Sequence, residues 1–117
     1  MYKITMVLLL SLLSVNVFAN TNSTKLNKVE NSKVCMVNDT YFAKLQIPVQ
    51  VDERTYYGCC ENCKKTLKED TKSRQAIDPI SRKAVDKSTA IIGADSNGQV
   101  HYFESLANLN AFNRKKK

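Results

Sequence analysis

In "QIPVQV" the apolar Ile47, Val49 and Val51 alternate with polar or imino positions, the period of a half-buried strand. Asp52-Glu53 turns the chain, "RTYYG" returns as the second strand of a hairpin, and Gly58 breaks it. "CENCKKTLKE" follows as a short helix. The order then recurs: "STAIIG" is a strand, "ADSNG" a turn-rich loop and "QVHYFE" the returning strand. Ser105 is a good N-cap for a helix over "LANLNAF", with Leu106, Leu109 and Phe112 facing inward.

Laid on itself at an offset of 46 residues, the chain matches Tyr56 with Tyr102, Tyr57 with Phe103, Cys59 with Ser105 and Cys35 with Ser81. One such unit is too small to bury a core alone. The expectation is therefore an α+β domain of two packed units, each a knuckle, a β-hairpin and a short helix. Tyr56, Tyr57, Tyr102 and Phe103 would lie between them. The boundaries expected are 34–69 for the first unit, 70–76 for a linker and 77–113 for the second unit.

The flanks read differently. "MYKITMVLLLSLLSVNVFAN" carries Lys3, an apolar run from Val7 to Leu13, and small residues at Val17 and Ala19, the pattern of a secretory signal peptide over 1–19. The run falls short of the ~20 apolar residues of a membrane span, so no stable membrane anchor is expected after cleavage. The protein is therefore expected to be periplasmic or secreted. "NTNSTKLNKVENSK", residues 20–33, is polar and aperiodic and reads as a flexible lead-in, and 114–117 as a solvated basic tail.

Charge removes one class of partner. Of the net +7, one charge belongs to Lys3 and four to Arg114–Lys117, which leaves the body only slightly basic. Its one basic stretch, "KKTLKEDTKSR", is diluted by Glu69 and Asp70, so no nucleic-acid partner is expected. With three glycines, one histidine and no Ser/His/Asp set, phosphate-cradling loop or catalytic carboxylate pair, the chain is not expected to be an enzyme.

The chemistry lies in four cysteines, three of them in "CCENC": Cys59, Cys60 and Cys63, with Cys35 upstream. Cys59 or Cys60 stands at a helix start, and Cys63 lies one turn later on the same face. Unpaired amides and the positive dipole end of a helix stabilise thiolate there. Cys35, on the knuckle, can return to that point once the hairpin forms. Three soft sulfurs then converge on a thiophilic ion such as Zn(II) or Cu(I), with the other adjacent cysteine, water or His101 as a fourth ligand. Met36 could add a thioether, although methionine more often packs. Two readings compete. In an exported domain Cys35 could instead pair with Cys60 or Cys63 as a disulfide, making a metal-free interaction module. "CENC" could also act as a redox pair, but the βαβ setting of such motifs is missing.

On these residues the chain resembles the TRASH domain, a small heavy-metal-binding module close to the YHS domains. Cys35, then Cys59 and Cys63, follow its pattern of one cysteine, a long spacer and a C-x3-C pair, with a spacer of 23 residues here. "DPISRKAVDKSTA", "GQVHYFES" and "NLNAF" are similar to YHS, with Ser81, Ser105 and Leu109 where that family has cysteines. The resemblance spans Val34 to Phe112. It implies metal sensing, trafficking or resistance through the first copy, with the second kept as a structural partner. The expected partners are the metal ion itself and a periplasmic protein that takes it by ligand exchange.

Overall fold

The computed structural model describes residues 25–115, so the signal-peptide reading and the first part of the lead-in lie outside the described residues. In chain order the elements are β1 (Asn27–Val29), β2 (Val34–Cys35), β3 (Thr40–Tyr41), β4 (Ile47–Val51), β5 (Arg54–Gly58), α1 (Glu61–Glu69), β6 (Gln75–Ile77), β7 (Ala84–Asp86), β8 (Ile91–Ala94), β9 (Val100–Phe103) and α2 (Leu106–Lys115). This is a small α+β fold, as expected. β2–β3 and β6–β7 are the knuckles, β4–β5 and β8–β9 the hairpins, and each hairpin runs into a helix. No helix among the described residues is long and apolar enough to cross a membrane.

The hairpins explain the alternation. Val49 pairs with Tyr56 across β4–β5, and Ile92 pairs with Tyr102 across β8–β9; all four are buried. The first turn is tight because Asp52 and Glu53 both take positive φ, 48° and 68°, which matches a two-residue hairpin loop to the strand twist. Val34, Met36, Val49, Tyr56 and Leu67 from the first unit close on Ala90, Ile92, Val100 and Tyr102 from the second, giving one shared core. Polar ties cross in both directions. The Tyr56 hydroxyl donates to Asp86 at 2.7 Å, and the Tyr102 hydroxyl donates to Asp39 at 2.7 Å.

Three boundary expectations change, and so does the facing of one leucine. The lead-in is structured from Leu26: β1 pairs antiparallel with β8, and Leu26 is buried with Phe103 and Leu109. Its amide donates to Asn113 Oδ1 at 2.8 Å, and Asn113 Nδ2 donates to its carbonyl at 2.9 Å. One buried leucine and main-chain pairing suffice there, so the side chains look like those of a linker. The supposed linker over 70–76 is a 3-10 turn, Thr71–Arg74, that leads straight into β6, with Arg74 Nη1 donating to the Leu67 carbonyl at 2.6 Å. The basic tail begins inside α2, whose last turn holds Arg114 and Lys115 against the negative end of the helix dipole. Leu106 faces outward at 48% exposure, while Leu109 is buried and Phe112 packs edge-on to Phe103 at 5.7 Å.

The register of the repeat also changes. Val34 pairs with Tyr41 as Ile77 pairs with Ala84, and positive φ recurs at Asp39 and Arg82, so the knuckles correspond at an offset of 43. After the hairpin turn the offset is 46, because the loop between β8 and β9 is three residues longer than Asp52-Glu53. Cys35 therefore corresponds to Asp78, not Ser81. A constant offset could not detect an insertion within the loop.

Ser105 caps α2: its Oγ accepts from the Asn108 amide at 3.2 Å. Ser105→Ala is expected to cost about 1 kcal/mol in chemical denaturation and to leave metal uptake unchanged, since the residue lies in the unit without cysteines.

Candidate metal centre

Three elements deliver the sulfurs. Cys35 ends β2, Cys59 and Cys60 link β5 to α1, and Cys63 lies in the first turn of α1, where Cys60 is the N-cap. Gly58 lets them meet. A Cβ added there would lie 2.9 Å from Cys63 Cβ and 3.4 Å from its carbonyl carbon, so strand end and helix start are in near contact. Gly58→Ala is expected to push α1 outward and weaken metal binding by roughly tenfold, equal to 1.4 kcal/mol and within the 1–3 kcal/mol typical of overpacking. A chelator competition titration measures it.

The ligand atoms of Cys35, Cys59 and Cys63 all lie within 4.8 Å of one another. Cys35 and Cys63 sulfurs are 3.8 Å apart, and Cys59 and Cys63 sulfurs 3.6 Å. A tetrahedral zinc with Zn–S of about 2.3 Å places its sulfurs about 3.8 Å apart; two of the three separations match that, and the third lies within 4.8 Å. All four cysteines are free thiols, and these separations exceed the S–S bond of about 2.05 Å. Cys60 lies 3.4 Å from Cys63 but outside the group of three. Of the two adjacent cysteines that the sequence leaves open, Cys59 is the one that joins the group.

Burial grades the site from inside to outside. Cys35 and Cys63 are buried, Cys59 and Cys60 exposed. Cys59 opens into a hollow of about 430 Å³ whose walls include Phe42, Leu45 and Ile47. Asn38 Nδ2 donates to the Cys59 sulfur at 3.4 Å.

The four thiols are driven apart electrostatically. Burial alone would push Cys35 up, but the amides of Asn38 and Val37 and its neighbour Cys59 bring it below the ordinary thiol value. The Cys63 amide and sulfur, acting on the exposed Cys60, lower that thiol too. Cys59 is raised, first by its hydrogen bond with Cys35 and then by burial. Cys63 is pushed up to about 12 by burial and by the three sulfurs around it. The raised thiols of Cys59 and Cys63 hold their protons at neutral pH, and a metal ion must displace them. Affinity is expected to fall as pH falls, by about tenfold per pH unit for each proton that leaves with binding. Zinc titrations at pH 6 and pH 7 measure the slope, and a flat profile would show that no protonated thiol takes part.

Other candidates fall away. Met36 is fully buried in the shared core and acts as packing. His101 sits on β9 with its ring 5.5 Å from Phe112, outside the group of three. Two residues escaped the sequence reading. Asn38 is one; the turn pair "ND", whose Asp39 takes positive φ, could have marked it. Lys87 is the other. It is only 5% exposed and donates through Nζ to the Met36 carbonyl at 2.6 Å and to Asp39 at 3.0 Å, bracing the knuckle that carries Cys35. Nothing in a lone lysine before serine announces that role.

Comparison with family models, curated proteins and solved structures found no match for this chain.

Proposed function

We propose that this is an exported protein, not an enzyme, that holds one soft metal ion through Cys35, Cys59 and Cys63 and gives it up to a periplasmic protein by ligand exchange. The convergence of three sulfurs at separations suited to a single thiophilic ion carries the reading. The resemblance to TRASH and YHS domains supports it, with the first unit as the metal-binding copy and the second as its structural partner. Zn(II) and Cu(I) both suit the donor set, whereas Ca and Mg, which prefer oxygen, do not. The gradation of burial supports exchange: Cys35 and Cys63 anchor, Cys59 faces the hollow, and the exposed Cys60 beside Cys63 is placed to serve as a passing ligand.

Native mass spectrometry of protein purified without oxygen tests this. One metal ion per chain with four free thiols, on a chain that begins at Asn20, is the expected result. Two disulfides and no metal would replace this reading with the disulfide-stabilised interaction module.

A further inference from the structure

The repeat contains its own comparison. In the second unit Asp78 stands where Cys35 stands in the first, and its buried carboxylate accepts four hydrogen bonds. They come from the amides of Ile80 at 2.7 Å, Ser81 at 3.1 Å and Glu104 at 2.8 Å, and from Asn108 Nδ2 at 2.8 Å. One anionic group therefore joins knuckle, strand end and helix start. Ser105 completes the junction by capping α2.

The first unit has the same backbone plan and a weaker junction. Its knuckle meets the start of α1 through sulfur contacts, Cys35 to Cys63 at 3.8 Å and Asn38 to Cys59 at 3.4 Å. Its N-cap residue, Cys60, offers the Cys63 amide only a weakly accepting sulfur and makes no regular cap hydrogen bond. Sulfur is a weak donor and acceptor, while hydrogen bonds to a carboxylate are among the stronger ones. Leu67 packs the far end of α1 into the core, so the helix start is the part left loosely held.

We infer that an ion bound by Cys35, Cys59 and Cys63 does for the first unit what Asp78 and Ser105 do for the second: it fastens the knuckle to the helix start. The knuckle is already held by Lys87 and by the Met36 amide, which donates to the Tyr57 carbonyl at 2.9 Å, so metal occupancy orders the β5–α1 link and the first turn of α1, while the second unit stays closed with or without metal. The protein is a metal-responsive half built on a metal-independent half. A partner can read occupancy from the surface around Cys59 and Cys60 without touching the ion. This inference rests on the metal-binding reading of the site.

Amide hydrogen exchange on the full chain tests it, in EDTA and then in Zn(II) at a hundred times its dissociation constant. Amides over 59–66 are expected to slow by up to ~100-fold, the linkage factor at that excess. Those over 78–86 and 105–111 are expected not to change. Equal slowing in both units, or no slowing in the first while mass spectrometry records bound zinc, would overturn the inference and leave the metal-binding reading standing. A chain that takes up no zinc would overturn both. A second test transplants the junction: Cys35→Asp, Cys59→Ser, Cys60→Ser and Cys63→Leu together remove the sulfurs and give the first unit an aspartate acceptor and a serine N-cap, and Asn62 aligns with Asn108. That variant is expected to show a protected α1 start in EDTA, with no response to zinc. Fast exchange there beside an intact second unit would count against the inference. If the variant does not fold at all, the wild-type exchange decides.

Discussion

Cys63→Ser is expected to reduce metal uptake more than any other single cysteine change. Its sulfur lies 3.8 Å from Cys35, 3.6 Å from Cys59 and 3.4 Å from Cys60, so it belongs to every three-sulfur set the fold can assemble. Structural zinc sites bind with about 10–16 kcal/mol, or roughly 3 kcal/mol per ligand of four. Losing one ligand therefore lowers affinity on the order of a hundredfold. Competition against a chromophoric chelator measures this, with circular dichroism of the metal-free proteins as a check on folding. Cys60→Ser is the matched control and is expected to change affinity far less, because that sulfur lies outside the trio. Undiminished binding by Cys63→Ser would remove the site.

The second large effect falls outside the metal centre. Asp78→Ala strips four hydrogen-bond donors of their common acceptor at a position with 0% exposure. Orphaned buried groups each cost about 1–3 kcal/mol, and breaking a buried charged network costs about 3–5 kcal/mol. Against a total stability of about 5–15 kcal/mol, the variant is expected to be largely unfolded on mild heating. The wild type carries a pH signature of the same group. Burial alone would raise the Asp78 carboxyl, but Asn108 and the amides of Glu104, Ile80 and Ser81 outweigh it and hold the carboxyl below the usual carboxylate range. Its contribution is therefore fully present above the unfolded value of about 3.9 and is lost as pH falls through the lower folded value. Asp78→Asn is expected to be less stable at pH 7 and to flatten the acid limb of the stability curve. An unchanged acid limb would show that another carboxylate governs it.

Much of the architecture was legible because alternation and turn chemistry are local. Ile47, Val49 and Val51 announce β4, Asp52-Glu53 the tight turn, and the paired aromatics at Tyr56 and Tyr102 the two-fold plan. The thiol cluster was legible for a similar reason, since a helix start and a C-x3-C spacing fix where two sulfurs point. What escaped depends on long-range partners. Leu26 looks like a stray apolar residue in a polar arm until β8 offers it an edge, and Lys87 looks like an ordinary surface lysine until the knuckle folds over it. Asp78 was hidden by arithmetic: three extra loop residues shift the register upstream of the turn and leave the tyrosines aligned.

β1 precedes the first unit in the chain yet adds its strand to the hairpin of the second. The halves are thus laced crosswise, and neither can be lifted out as a self-sufficient cassette. A fragment trimmed to the cysteine-bearing half would strand β1 without its neighbour, and one trimmed to the other half would leave the flank of β8 bare and sticky. Engineering a minimal metal-capturing tag from this protein means keeping the whole interlaced body.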